Sequence, residues 1–121
     1  MNDTALTRQN DPEPRAEPLA FATPAIDVFE GDRDFRVDVD LPGVRADDVR
    51  VNLEGNALEV DATRPGDRAS DGHPVRYRRT IRFDVPLNGD DVRAELKAGV
   101  LALTVPKAES ALPRQIPVVS A

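Results

Sequence analysis

The sequence contains no cysteine and no tryptophan, and its aromatic residues are four phenylalanines and one tyrosine. The absence of cysteine excludes disulfides, thiol nucleophiles and thiolate metal ligands. Because aromatic side chains are scarce, a core must be built mainly from valine, leucine, isoleucine and alanine. A chain of 121 residues is long enough for one domain with one such core.

Basic residues are outnumbered: 16 lysines and arginines stand against 22 aspartates and glutamates, and the formal net charge is −6. An acidic balance favours solubility and disfavours a nucleic-acid partner. The first fifteen residues contain no apolar stretch typical of a signal peptide, and no later stretch is long and apolar enough to cross a bilayer. We therefore expect a cytoplasmic protein with neither a nucleic-acid nor a membrane partner.

The apolar residues follow a period of two, which is typical of β-strands with one buried face. Glycine-containing turns separate these segments, and Glu54-Gly55-Asn56 is short enough to join two antiparallel strands as a hairpin. Short strands at this spacing predict an all-β, two-sheet antiparallel β-sandwich without a long helix. The alternating segments are Ile26–Val28, Phe35–Leu41, Val49–Leu53, Leu58–Val60, Ile81–Val85 and Leu101–Val105.

The two ends differ from this central domain, which we place at residues 24–107. Residues 1–23 are polar and rich in proline, so they are predicted to form a disordered N-terminal arm. Residues 108–121 form a C-terminal tail with one isolated apolar motif, Ile116-Pro117-Val118. Pro117 pre-sets an extended backbone, which lowers the entropy lost on docking. The motif is therefore predicted to fill a groove, either on its own domain or on a neighbouring copy.

Residues that could carry chemistry are scattered in patterns that argue against a site. His73 is the only histidine and lies between glycine and proline in a polar segment. The aspartates of residues 32–40 alternate with apolar residues at strand period, which indicates a solvated strand face rather than a calcium loop. No serine stands in a glycine elbow. We expect no catalytic residue, no metal site and no cofactor, and hence no enzyme.

One basic run surrounds Tyr77 and consists of Arg76, Arg78, Arg79 and Arg82. Since the rest of the chain is acidic and Tyr77 is the only aromatic residue of the run, nucleic-acid binding is disfavoured. Two interpretations stay open. The arginines form a solvated strand face, or they form a dimer interface in which they pair with carboxylates.

Taken in order, several short motifs resemble the α-crystallin domain of bacterial small heat-shock proteins. The resemblance covers residues 24–118, and it is the order and spacing of the pieces that make it specific. The motifs are Pro24-Ala25-Ile26-Asp27-Val28-Phe29-Glu30, Leu41-Pro42-Gly43-Val44, Gly55-Asn56-Ala57-Leu58, Phe83-Asp84-Val85-Pro86, Gly99-Val100-Leu101, Pro106-Lys107 and Ile116-Pro117-Val118.

The resemblance implies an immunoglobulin-like sandwich that acts as an ATP-independent molecular chaperone, a holdase for partly unfolded client proteins. It also implies self-association through dimers and small oligomers, with the tail motif docked between two edge strands of another subunit. Carried onto this sequence, that groove is lined by Val49, Val51, Leu53, Val92, Ala94 and Leu96. The alternative is a co-chaperone or adaptor with a CS-like sandwich that binds one folded partner.

The sequence departs from the family pattern in two places. Ile81 stands where the family often has an arginine, and Arg79 or Arg82 is left to supply that charge. The segment from Thr63 to Pro74 is short and polar. In bacterial relatives a longer loop here carries a strand that is exchanged between dimer partners, so we expect a stunted exchanged strand in this chain.

Overall fold

The computed structural model describes residues 20–66 and 72–121, which form two four-stranded sheets. Sheet A has the strand order β1-β6-β5-β4 and sheet B the order β2-β3-β8-β7. The pairing of β1 with β6 is parallel and the other pairings are antiparallel. The predicted β-sandwich is therefore confirmed. The strands are β1 (Ala20–Ala22), β2 (Ile26–Glu30), β3 (Asp34–Asp40), β4 (Val49–Glu54), β5 (Ala57–Arg64), β6 (Val75–Arg82), β7 (Arg93–Lys97) and β8 (Val100–Pro106).

The core lies between the sheets and is built from the alternate residues of the central strands. In β3, Phe35, Val37 and Val39 are buried while Arg36 is exposed. The side chains that are almost fully buried are all aliphatic: Leu41, Leu58, Leu103, Val37, Val39, Val60 and Val105. Burying one such side chain contributes about 1.5–3 kcal/mol. The sequence pattern therefore identified the inner face of each central strand.

The connections also follow the turn chemistry of the sequence. Gly55 and Asn56 join β4 to β5 with Glu54 opposite Ala57, so the predicted hairpin is confirmed. The helical segments of the described residues are three-residue 3₁₀ turns at Ala46–Asp48, Gly89–Asp91 and Glu109–Ala111. Within the same residues, no helix is long and apolar enough to cross a membrane.

The boundary of the N-terminal arm requires a correction. Residues 20–22 fall in the predicted disordered arm, yet they form β1 and pair with residues 75–77 of β6. Two contacts explain the order: the Ala20 amide donates to the Pro74 carbonyl at 3.2 Å, and Ala22 packs against the core. Residues 1–19 of the predicted arm lie outside the described residues.

The segment between β5 and β6 spans residues 65–74, and its described part contains no strand. Gly66 and Gly72 approach so closely that a Cβ atom at Gly66 would collide with the Gly72 carbonyl. The two described ends of the segment therefore lie in contact, and the stunting of an exchanged strand stays a prediction.

The turn between β7 and β8 contains a strained residue that makes a stability prediction. Ala98 has φ +51° and Gly99 φ +80°, as in a type I′ hairpin turn. A non-glycine residue in this region costs about 1–2 kcal/mol, whereas glycine adds about 0.5–1 kcal/mol of unfolded-chain entropy. We expect Ala98→Gly to raise the free energy of unfolding by about 0.5–1 kcal/mol in urea denaturation.

Ala108 provides the matched control, because its φ of −62° suits any residue. Ala108→Gly should lose stability through the entropy term alone. Equal losses for the two glycine variants would show that Ala98 is not strained.

Candidate functional site

The predicted groove falls at the edges of the two sheets, where β4 ends sheet A and β7 ends sheet B. In β4 the apolar residues Val49, Val51 and Leu53 are half-buried and pack against the core, while the alternate polar residues are exposed. Each edge strand is paired on one side only. The groove is therefore an apolar strip with unpaired backbone groups along it.

β7 forms the other edge of the groove. Val92 and Leu96 are half-buried and pack against the core. Ala94 lies opposite Leu103, which is fully buried, so Ala94 has the inward register of the strand. Ala94 is nevertheless exposed. A small inward-facing residue that stays exposed means that the space above it is open.

One end of the groove is closed by the 3₁₀ turn Gly89–Asp91, which leads into β7. A Cβ atom on Gly89 would lie 3.0 Å from Leu53 Cδ2, so the turn packs directly on β4. Asn88 holds the turn: its Oδ1 accepts from the Asp90 amide at 3.2 Å, and its Nδ2 donates to Asp91 at 3.1 Å. The structure thus brings the six predicted groove residues to neighbouring edges, and their role in docking stays a prediction.

The C-terminal tail begins beside the sandwich and then leaves it. The Lys107 amide donates to the Arg33 carbonyl at 2.8 Å, and the Ala108 amide donates to Pro86 at 2.9 Å. Leu112 is half-buried, but Ile116 and Val118 are 79% and 93% exposed. The tail motif therefore makes no apolar packing contact with its own domain.

The direction in which the tail leaves separates it from its own groove. Residues 109–114 lie near Arg33, in the turn between β2 and β3. In sheet B, β3 and β7 flank β8 on opposite sides. The tail thus departs on the side of β8 that is away from the groove.

The arginines of the predicted dimer interface have partners within the chain. Arg76 forms two hydrogen bonds to Asp61, at 3.0 and 2.6 Å, and Arg78 donates to Glu59 at 3.1 Å. The hydrogen bond from Arg76 lowers the pKa of Asp61 below its ordinary value, so this carboxylate is ionised at neutral pH. A solvated, internally paired strand face therefore accounts for these two arginines, and the interface stays a prediction.

The other two arginines differ in orientation. Arg79 lies opposite the buried Val60, on the inner side of β6, and its Nη1 donates to the Pro24 carbonyl at 3.0 Å. Arg82 is exposed, and Ile81 is buried opposite Leu58. Arg79 is therefore the arginine that contacts the interior edge of the sandwich, which the sequence alone did not assign.

The residues considered for other chemistry do not gather into a site. His73 is exposed. Within the described ranges no three histidine or acidic side chains are placed to hold a metal ion.

Comparison with known proteins assigns the fold to a family. The family model for the Hsp20/alpha crystallin family matches residues 27–119. The chain is 36% identical over 114 residues to "Spore protein SP21" of Stigmatella aurantiaca, covering 88% of this chain and 67% of the relative. It is 35% identical over 106 residues to the "18 kDa antigen" of Mycobacterium leprae, covering 80% of this chain and 72% of the relative.

Solved structures agree with this assignment. Heat shock protein 16.0 from Schizosaccharomyces pombe superposes with a TM-score of 0.67 at 28% identity, covering 82% of this chain and 99% of that one. A small heat-shock protein from Xylella fastidiosa shares the fold, with a TM-score of 0.63 at 24% identity, covering 80% of this chain and 96% of that one.

The chain belongs to the Hsp20/alpha crystallin family of small heat-shock proteins. Members of this family are ATP-independent chaperones rather than enzymes. Family membership therefore supports a chaperone role and favours it over the adaptor alternative.

Proposed function

We propose that the protein is a holdase that binds partly unfolded client proteins and assembles by docking its tail into the groove of another copy. The observation that carries this proposal is the pairing of two edge strands that carry half-buried apolar residues with an exposed apolar motif that leaves the domain on the opposite side of β8. Both elements lose apolar exposure when they meet.

Docking in trans is supported by the geometry of the tail base. Three residues separate the half-buried Leu112 from Ile116, and an extended chain spans at most about 3.3–3.6 Å per residue. Because those residues begin on the side of β8 away from β7, docking on the same domain would require them to turn back around the sheet edge. A groove on another copy carries no such restriction.

The chemistry of the groove suits an extended apolar peptide. The edge strands offer unpaired N–H and C=O groups to an added strand, and half-buried apolar side chains recur at every second residue of β4. Ile116 and Val118 are alternate residues, so both can point into the groove while Pro117 points away. A client segment with the same alternation would compete for the groove.

Client binding follows from the same contacts. The chain carries a net charge of −6, which keeps complexes dispersed, while undocked grooves and tails expose apolar surface. The predicted dimer interface at Arg76, Arg78, Arg79 and Arg82 is also part of this proposal, with one condition on the two arginines that have partners within the chain. Arg76 and Arg78 must exchange Asp61 and Glu59 for carboxylates of a partner, or share them. Cytoplasmic location and the lack of nucleic-acid or membrane partners also remain predictions.

The holdase proposal predicts that the protein suppresses the thermal aggregation of a model client without nucleotide. Light scattering of the client is measured at increasing ratios of chaperone to client, with and without ATP, and with an inert protein at equal mass concentration as the control. Suppression that saturates near stoichiometric ratios and does not depend on ATP supports the proposal. Absence of suppression at excess, or suppression that needs ATP, contradicts it.

A further inference from the structure

β1 is held on the edge of sheet A by few contacts. It has three residues, Ala20–Ala22, and pairs with residues 75–77 of the eight-residue strand β6. The pairing is parallel, which is slightly less stable per residue than antiparallel pairing. Phe21 is its largest side chain and is 71% exposed, so it contributes little apolar burial. The attachment of β1 to the sandwich is therefore weak.

The edge of β6 offers more backbone groups than β1 uses. The Ala20 amide donates to the Pro74 carbonyl, so every second residue of β6, counted from Pro74, directs its N–H and C=O groups toward this edge. β1 ends opposite Tyr77. The outward groups of Thr80 and Arg82 therefore lie beyond β1, and they pair with no strand of the described residues.

The space between the sheets is open on the same side of the sandwich. β1 and β2 are the edge strands there. Val28 of β2 lies opposite the buried Val37 and so has the inward register, yet it is 45% exposed. The inward position of β1 opposite Tyr77 is filled by alanine, Ala22, which packs on the core. A larger apolar side chain at that position would bury more surface.

Arg79 limits how far β1 can move. Residues 23–25 form the crossover from β1 to β2, and Pro24 within it is buried. Arg79 Nη1 donates to the Pro24 carbonyl at 3.0 Å from the inner side of β6. This hydrogen bond ties the crossover to β6, so its loss should make the release of β1 easier.

The side chains of β6 decide which segment could replace β1. Its outward side chains are arginines and a threonine, and Arg76 and Arg78 are paired with carboxylates of β5. Its inward side chains include the buried Tyr77 and Ile81. An added strand would place alternate side chains beside each set. The segment that fits therefore has apolar residues at every second position and polar or acidic residues between them.

We infer that β1 is a displaceable strand, and that an extended segment of a partly unfolded client takes its place on the edge of β6. A client segment longer than β1 gains backbone pairs with Thr80 and Arg82, and it can place a side chain larger than Ala22 against the core. The inference rests on the proposed holdase function. It adds a second client site, because the edge of β6 and the groove lie on opposite sides of the sandwich.

The absence of native cysteine allows a direct test with a reversible lock in the full chain. Ala20 and Val75 are Cα partners, and neighbouring strands lie about 4.8 Å apart, within the range of a disulfide. The Ala20→Cys, Val75→Cys variant therefore holds β1 on β6 when oxidised and frees it when reduced. We expect the oxidised form to lose part of its protection of thermally unfolding malate dehydrogenase, measured by light scattering.

A second lock provides the matched control. Glu95 and Ala102 are Cα partners that join β7 to β8, two strands that stay paired in this account. The Glu95→Cys, Ala102→Cys variant should protect the client equally when oxidised and when reduced. Weaker protection by the oxidised β1 lock, with no change for the control lock, supports the inference.

Three outcomes overturn the inference. Equal protection by both forms of the β1 lock overturns it and leaves the holdase proposal intact. If neither form nor the wild type protects the client, the holdase proposal fails and the inference with it. If oxidation of the β1 lock changes the assembly size in sedimentation velocity, the uncovered edge binds another copy instead of a client.

Arg79→Met provides a second measurement, because it removes the hydrogen bond to Pro24 and keeps a long side chain. Loss of one average hydrogen bond should speed hydrogen exchange of the Ala20 amide about fivefold. Client protection should improve as well. Arg78→Met is the control, since Arg78 lies on the outer face and donates to Glu59. Faster exchange in Arg79→Met without better protection would overturn the client role of this edge.

Discussion

Replacing Ile116 and Val118 together by alanine is expected to shift the protein from its oligomers to smaller species while the sandwich stays folded. Both side chains are exposed and lie beyond the last strand, so the core loses nothing. The change removes five methyl-sized groups per tail, up to about 4 kcal/mol at ~0.8 kcal/mol each, or roughly a hundredfold to thousandfold in affinity. Sedimentation velocity measures the size distribution, and circular dichroism checks the fold.

Val119→Ala is the matched control, because Val119 is 85% exposed but stands outside the Ile-Pro-Val motif. It should leave the size distribution unchanged. If the double variant and the wild type sediment alike, the motif is not an assembly element. If Val119→Ala acts as strongly as the double variant, general tail hydrophobicity drives assembly instead of docked alternate residues.

Placing a charge in the groove is expected to weaken assembly about as much as changing the tail does, because it acts on the other partner of the same contact. Ala94→Lys introduces an ammonium group where the tail would bury apolar atoms. Burying an unpaired charge costs several kcal/mol, so docking should fail. Because Ala94 is exposed in the free domain, its replacement leaves the fold intact, unlike replacement of the half-buried Val51 or Leu96.

Ala102→Lys is the control for the groove variant. Ala102 lies in β8 opposite Glu95 and Asp38, on the outer face of sheet B, so the same new charge there meets carboxylates and not the groove. Analytical ultracentrifugation should show small species for Ala94→Lys and wild-type assemblies for Ala102→Lys. Small species for Ala102→Lys but not for Ala94→Lys, or equal assembly sizes for the two variants, would show that the groove is not the docking site.

The alternation of apolar residues was enough to predict the sandwich and most of its core. Val37, Val39, Leu58, Val60, Leu103 and Val105 are buried as the period of two requires, because central strands have neighbours on both edges and the opposite sheet above them. The Gly55-Asn56 hairpin was predictable for a local reason, since its turn depends on residues adjacent in sequence.

Features that depend on distant neighbours could not be predicted in this way. Val28 follows the same alternation as Val37 but is 45% exposed, because β2 is an edge strand. The order of residues 20–22 depends on β6, more than fifty residues away in sequence. The sequence leaves Arg76 either in a solvated strand face or in an interface, because it does not show that Asp61 lies beside Arg76 on the neighbouring strand.

The groove contains both features that could be predicted from the sequence and features that could not. The resemblance to the family placed Val51 and Leu96 on its edges, and in the structure each residue lies in the edge strand of its sheet and packs against the core. The packing of Gly89 on Leu53, which closes one end, arises from contact between the 3₁₀ turn before β7 and strand β4. No local sequence signal marks a contact of this kind. The course of the tail past Arg33 likewise depends on a contact between residues that are distant in sequence.

Docking of the tail into the groove in trans is tested most directly with a peptide. The full-length Ile116→Ala, Val118→Ala variant, labelled with ¹⁵N, is titrated with a peptide of residues 114–121, Arg-Gln-Ile-Pro-Val-Val-Ser-Ala. The predicted result is a saturable shift of amide signals in Val49–Glu54 and Arg93–Lys97. The same peptide with alanine for isoleucine and for the first valine should cause none. Shifts confined to other strands, or equal shifts with both peptides, would contradict the account.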